Sequence, residues 1–310
     1  MDNFHLMART PLHVFLDARP AVPTVLELLK PVTWFPPMWA FFCGVVSSGE
    51  PAAGHWAMIF AGVLLAGPLV CGTSQAVNDW YDRHVDAINE PRRPIPSGRV
   101  PGHWGLYIAI GWSLVSLVVA SMLGPLVLGA ALFGLLLAWV YSAPPIRLKS
   151  NGWWGNSAVA LCYEGLPWFT AAAVMSGALP DPKILLLALI YSAGAHGIMT
   201  LNDFKAIEGD RRMGIGSLPV RLGVSAAAWV ACTVMAVAQV VVIALLFAWG
   251  RPVHAASILG LLAVQLVMMA RLLRRPSELD YWYNATGVPL YVAGMLVSAF
   301  AVRTNLTGSL

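Results

Sequence analysis

Residues Asn78–Gly98 read NDWYDRHVDAINEPRRPIPSG. Asp79, Asp82, Asp86 and Glu90 fall within twelve residues, and Arg92 and Arg93 follow them. The surrounding chain of 310 residues is 58% hydrophobic and only 11% charged. Carboxylates are costly beside lipid and mark functional positions when they occur near it. This cluster therefore calls for a cation, a ligand or water to offset its charge.

Apolar runs of about 18 residues or more read as membrane-spanning helices. Nine such runs are expected, near 31–49, 56–77, 104–122, 125–142, 154–177, 183–200, 224–249, 254–273 and 285–303. If the N-terminus and every second loop lie on one side, that side holds 16 of the 19 Lys and Arg residues. The rest are Lys183, Arg251 and Arg303. Positive charge concentrates on the cytoplasmic face, so the expected fold is an all-α integral membrane bundle of nine helices around a central cavity, with its N-terminus inside. Residues 1–30 form a cytoplasmic segment, 31–303 one domain and 304–310 a short periplasmic tail. The net charge of +4 is then a topology signal, and nucleic acid need not be invoked. LHVFL near the start is too short for a secretory signal, which points to a bacterial inner membrane, cytoplasmic or intracytoplasmic. Cys43, Cys71, Cys162 and Cys232 fall inside predicted helices with no CxxC pair, and reduced thiols are expected.

A second acidic stretch, LNDFKAIEGDRR (Leu201–Arg212), follows the sixth predicted helix as the first follows the second. Both carry an Asn-Asp pair, further acids and then Arg, which suggests an internal duplication. Asn78 and Asp82 are four apart, and Asp79, Asp82 and Asp86 keep helical spacing. Asp203 and Asp210 are seven apart. Carboxylates with an amide oxygen form a hard oxygen site suited to Mg²⁺, which keeps waters and phosphate oxygens in its shell. A single acidic helix end at a membrane surface is ordinarily a solvated face. Two such ends on one side, each with flanking Arg, favour a ligand. The loop YSAPPIRLKSNGWWG (Tyr141–Gly155), stiffened by Pro144 and Pro145, adds Tyr141, Arg147 and Lys149. With Arg83, Arg92, Arg93, Arg211 and Arg212 there is ample charge for phosphate oxygens. Mg²⁺ and basic groups inside a membrane enclosure suit a prenyl diphosphate.

At these residues the sequence resembles the intramembrane (UbiA-type) prenyltransferase superfamily, whose NDxxDxxxD motif is met by Asn78, Asp79, Asp82 and Asp86. Within it, DRHVDAINEPRRPIPSG, YSAPPIRLKSNGWWGN, CYEGLPWF and LNDFKAIEGDRRMGIGSLPV resemble the chlorophyll and bacteriochlorophyll synthases, with the bacteriochlorophyll branch favoured. KPVTWFPPMWAFFCGVVSSG and YNATGVPLYVAGM extend the likeness over nearly the whole chain. The resemblance implies esterification of the propionate of bacteriochlorophyllide a with a geranylgeranyl or phytyl chain from its diphosphate. It implies Mg²⁺ as cofactor, with Asn78, Asp82 and Asp86 on one ion and Asp79 in support. Asp203, Asp210 and Glu208 would hold a second. Asp82, Asp86, Asp203 and Asp210 would be catalytic, and Arg83, Tyr141, Arg147, Lys149 and Arg211 would bind diphosphate. One departure stands out: many members carry an acid where this chain has Ala206. A carboxylate acceptor needs no strong general base, which agrees with the lack of a Ser/His/Asp arrangement. The resemblance also leaves room for association with other pigment-synthesis or photosystem-assembly proteins.

Glu164, in CYEGLPWF, reads equally as a functional intramembrane acid or as a helix-to-helix hydrogen bond. His196 reads as a ligand to the pigment's magnesium or, more cheaply, as a packing histidine. Trp168, with Trp34, Trp39, Trp153 and Trp154, could stack on a tetrapyrrole, although an interfacial aromatic belt explains most of them. Three other functions compete: an ion-coupled transporter, a pigment carrier without catalysis, and prenyl transfer to protohaem, a benzoate or a quinone precursor. Transporter sites lie near the bilayer midplane, and these acids cluster at one side.

Overall fold

A computed structural model describes residues 19–303; the calls on residues 1–18 and 304–310, including Arg9, LHVFL and the short tail, lie outside them. Among the described residues there are eight helices long and apolar enough to cross a membrane. A short helix α1 (Val22–Leu29) precedes them. The spanning helices are α3 (Trp56–Asn89), α4 (Trp104–Leu123), α5 (Pro125–Ser142), α6 (Gly152–Ser176), α7 (Pro182–Arg212), α9 (Val224–Ala248), α10 (Pro252–Arg274) and α11 (Pro276–Arg303). The first of the nine expected runs is shorter than anticipated. Pro31 to Thr33 form a single 3₁₀ turn, and α2 (Phe35–Ser47) has only 13 residues. Pro36 and Pro37 are tolerated in its first turn, where no helical N–H bond is lost.

Length places the acids. At 1.5 Å per residue, α3 extends about 51 Å and α7 about 46 Å, against a hydrocarbon core of about 30 Å. Both helices must therefore run on past the lipid, and both carry their acidic residues at the C-terminal overrun. A 3₁₀ turn over Asp203–Ala206 interrupts α7 within its overrun. A short helix, α8 (Leu218–Leu222), then leads into α9.

The core lies where α7 runs along α9 and α2 along α6, with α11 closing on α2 and α10. Without a hydrophobic force between helices in lipid, close packing and buried hydrogen bonds hold such a bundle. Trp168 is fully buried and donates from Nε1 to Ser47 Oγ at 2.9 Å. Tyr191 and Ser298 share a hydroxyl bond of 2.8 Å, and Tyr291 donates to the Tyr191 carbonyl at 2.7 Å. Gly44 is what lets α2 approach α6. A Cβ there would lie 2.3 Å from the Trp168 carbonyl oxygen and 2.6 Å from Ala171 Cβ.

Two loops at the acidic end are joined by an isolated parallel bridge between Asn151 and Gly216. Gly152 N donates to Gly216 O at 2.9 Å, and Gly216 N donates to Ser150 O at 3.0 Å. The approach is close enough that a Cβ at Gly152 would stand 2.5 Å from Leu218 N. The four cysteines are free, as expected.

Replacing Gly44 by Val should destabilise the bundle by roughly 1–3 kcal/mol or more, since neither backbone can give way cheaply. A lowered melting temperature of the detergent-solubilised protein is the expected outcome, with Ser47→Ala showing a smaller drop.

Candidate active site

The overruns of α3 and α7 face each other across a cavity of about 710 Å³. Asn78, Asp82, Asp86 and Asn89 line the α3 wall, and Asn202, Asp203, Glu208 and Asp210 the opposite one. Tyr141, Lys149, Gly152 and Asn156 close a third side. Among the described residues, no His or Cys lines it.

Asp82, Asp86 and Asp203 each accept from a named donor. Asp82 accepts from Lys149 Nζ at 2.5 Å and from Arg147 Nη2 at 3.3 Å. Asn78 Nδ2 donates to Asp82 Oδ2 at 3.1 Å and to Ser142 Oγ at 3.2 Å, so only its amide oxygen can meet a cation. Arg93 Nη1 donates to Asp86 Oδ2 at 2.8 Å. Across the cavity, Asn156 Nδ2 donates to Asp203 Oδ2 at 3.0 Å and to Thr200 Oγ1 at 3.3 Å. Asp210 is buried, with 7% of its surface exposed. Lys149 is almost as enclosed, and burial holds its ammonium below the usual lysine range, although Asp82 beside it pulls partly the other way. Arg147 stands in the left-handed region at φ 43°, which turns its side chain back toward α3.

The donor set fits a hard cation, being wholly carboxylate and amide oxygen. Among the described residues, no three His, Cys, Asp or Glu side chains are grouped closely enough to hold an ion alone. The two acid sets instead face each other across a space that phosphate oxygens can fill.

The polar cavity continues into apolar space. Asn78, Tyr141 and Val159 also line a second chamber of about 210 Å³ between α3, α5 and α6. That chamber shares Ala66, Val70, Gly134 and Cys162 with a tip of about 40 Å³, reaching Ala130, Ala131, Leu166 and Thr170. Two π-helical turns, Leu65–Cys71 in α3 and Leu161–Gly165 in α6, form its walls. Such turns widen a helix locally and recur at functional sites. Gln75 Nε2 donates to Tyr163 Oη at 3.3 Å across the chamber.

The chain that forms this polar cavity and its apolar extension is similar to known proteins. Residues 33–300 match the UbiA prenyltransferase family. This chain belongs to that family. It is 60% identical over 284 residues to the bacteriochlorophyll synthase 33 kDa chain of Cereibacter sphaeroides, covering 92% of this chain and 94% of the relative. It is 56% identical to the protein of the same description from Rhodobacter capsulatus, over 92% of this chain and 94% of the relative. The chloroplastic chlorophyll synthase of Oryza sativa is more distant, at 40% over 89% of this chain and 76% of the relative. A UbiA homologue from Archaeoglobus fulgidus bound to GPP and Mg²⁺ shares the fold, with a TM-score of 0.69 at 21% identity over 91% of this chain and 99% of that one.

Within this UbiA-family fold, several expected site residues lie elsewhere. Asp79 faces away from the cavity and is 1% exposed, bound by Lys30 at 2.6 Å. One helical step of about 100° from Asn78 carries it to the far side of α3. Arg83 folds back, donating to the Trp80 carbonyl at 2.7 Å with its guanidinium 4.0 Å over the Trp80 ring. Arg211 is exposed and pairs with Glu208 at 3.6 Å, whereas its neighbour Arg212 lines the cavity. Glu208 lines the rim, two-thirds exposed and already paired with both arginines. The three pigment candidates are not on any of these cavities. Trp168 is packed against Tyr191 with its centroid 5.8 Å away. His196 is buried and stacked on Trp153 at 5.5 Å. Glu164 is 3% exposed in the π-turn of α6, on the side away from the passage. Of the other tryptophans, Trp34 and Trp39 bond to backbone carbonyls, while Trp153 and Trp154 are exposed. Sequence reading also missed Asn156 as a site residue. Its signal was a lone amide five residues past the N-cap Asn151, in an otherwise apolar helix.

Asp82→Asn and Asp210→Asn should each lower turnover on the order of a hundredfold or more, as loss of a site charge generally does. Unchanged gel-filtration behaviour in detergent would show that the fold survives. Wild-type turnover in both variants would overturn the assignment of this cavity.

Proposed function

We propose that the protein is a Mg²⁺-dependent bacteriochlorophyll synthase. In this reading it joins the propionate of bacteriochlorophyllide a to a geranylgeranyl or phytyl chain supplied as the diphosphate. The observation that carries the reading is the junction of a carboxylate-walled, arginine- and lysine-edged basin with an apolar passage, in a chain 60% identical to a bacteriochlorophyll synthase. The basic face, and with it the basin, lies toward the cytoplasm of a bacterial inner membrane, by the Lys and Arg asymmetry.

Asn78, Asp82 and Asp86 would hold one Mg²⁺, and Asp203 and Asp210 a second. When bound, the metal neutralises the diphosphate and makes it a better leaving group. Lys149 and Arg147 then exchange Asp82 for phosphate oxygens, which they can reach from a loop fixed by the Asn151–Gly216 bridge. The bond between the prenyl C1 and the diphosphate oxygen breaks with its electron pair on the diphosphate. Positive charge spreads over the allylic carbons at the mouth of the passage, where the Tyr141 and Tyr163 rings line the wall. A propionate oxygen forms the new C–O bond, and no proton need be removed from the acceptor.

The passage is narrow at its far end, with Ala130, Ala131 and Gly134 admitting the chain. Gly134→Leu would fill the junction of the chamber and tip. It should lower turnover with geranylgeranyl diphosphate more than with geranyl diphosphate, and the ratio of the two kcat/KM values reads this directly. Equal losses would place the chain elsewhere.

The direct test is ester formation in detergent-solubilised membranes from bacteriochlorophyllide a and geranylgeranyl diphosphate, with Mg²⁺ or a chelator. Mg²⁺-dependent ester is the expected result. Product from chlorophyllide a alone would move the protein to the neighbouring branch, and no product from either would overturn the acceptor.

A further inference from the structure

Asp79 sits inside the signature motif yet is turned off the site, and it is not idle. Lys30 Nζ donates to its Oδ1 at 2.6 Å, and Arg93 Nη1 lies 3.6 Å from the same oxygen. That Arg93 nitrogen also binds Asp86 Oδ2 at 2.8 Å, on the cavity wall. Arg93 is thus shared between one carboxylate inside the site and one behind it. The second oxygen of Asp79 is buried and makes no hydrogen bond. A buried carboxylate left like this depends on its ion partners.

Lys30 is held in place for this contact. It stands in the left-handed region at φ 47°, between α1 and the 3₁₀ turn, a conformation costly for a residue with a Cβ. Leu28 and Leu29 bury α1 against Ala76 and Val77 of α3. Glu27 pairs with Arg99, whose guanidinium also donates to the Arg92 carbonyl at 2.6 Å. α1 is therefore clamped both to α3 and to the loop that carries Arg93.

We infer that Asp79 and Lys30 are positioning residues that set how much of Asp86's negative charge is offered to a bound cation, acting through Arg93. Asp79 draws Arg93 away from Asp86, and Lys30 limits that pull. The two therefore act in opposite directions. Removing the Asp79 charge commits Arg93 wholly to Asp86 and weakens cation binding. Removing the Lys30 charge leaves Asp79 free to take Arg93 and strengthens it. This rests on the reading of the basin as a Mg²⁺-diphosphate site.

The test uses the full chain in detergent with a non-hydrolysable geranylgeranyl thiolodiphosphate at fixed concentration. Mg²⁺ is titrated and the melting temperature read, which gives a half-saturating Mg²⁺ concentration without turnover. Asp79→Asn should raise that concentration about tenfold, the usual effect of losing a group behind a metal ligand. Lys30→Met should lower it. In an Arg93→Gln background neither change should shift it. Shifts in the same direction, shifts that persist without Arg93, or no shift at all would each overturn the inference. If Asp79→Asn does not fold, Lys30→Met, at a side chain 24% exposed, with and without Arg93→Gln, decides it. A wild-type protein that never responds to Mg²⁺ with the analogue would instead overturn the reading of the basin, and the inference with it.

Discussion

Charge in a lipid-embedded protein must be answered by an opposite charge or a hydrogen-bond donor, and this requirement organises much of the acidic end of the molecule. Lys149 and Arg147 answer Asp82, Arg93 answers Asp86, Lys30 answers Asp79, and the Asn156 amide answers Asp203. The partners come from the chain before α2, from the loops after α3 and α5, and from the first turns of α6. Segments distant in sequence are thereby fixed around one cavity. A buried ion pair adds little net stability over an apolar contact, while breaking one is severe. These pairs therefore specify an arrangement.

The apolar half of the site rests on a different device. A regular α-helix offers a lining of fixed pitch, whereas the π-turns in α3 and α6 each displace a short run of residues. Both line the same chamber and meet there, with Cys71 Sγ of one 3.7 Å from Tyr163 Oη of the other. Small residues of α5 complete the space, and Gly134 and Ala131 leave room that larger side chains would fill. The polar end is therefore built from long-range ion pairs, and the apolar end from local irregularity in two helices.

Much of this was legible in the sequence. Helical spacing placed Asn78, Asp82 and Asp86 on one face, and the second acidic stretch supplied Asp203 and Asp210. Hydropathy found the spanning helices but lengthened the first, because it counts Pro31 to Trp34 as apolar and not as a turn. Spacing failed for Asp79, and for Arg83 and Arg211 the charge was visible but its direction was not. Direction depends on which partner is near, and Lys30 lies 49 residues from Asp79. The π-turns left little mark in composition beyond Pro68 in LAGPLVC and Glu164 in LCYEG. Glu164, His196 and Trp168 were conspicuous as polar or aromatic groups in apolar surroundings, and all three are buried in the bundle away from the cavities, with Glu164 Oε2 and both His196 ring nitrogens making no hydrogen bond.

The bridge between Asn151 and Gly216 has a consequence for biosynthesis. It joins the loop after α5 to the loop after α7, and the two walls of the basin belong to helices emerging at different times from the ribosome. Chains of this size acquire structure from the N-terminus onward during synthesis. The first acidic helix and the Arg147–Lys149 loop are thus in the membrane well before Asp203, Asp210 and Gly216 exist. A half-made chain presents one acidic wall, with Asp82 already closed off by its own lysine and arginine. The cavity is therefore complete only once both loops have been made.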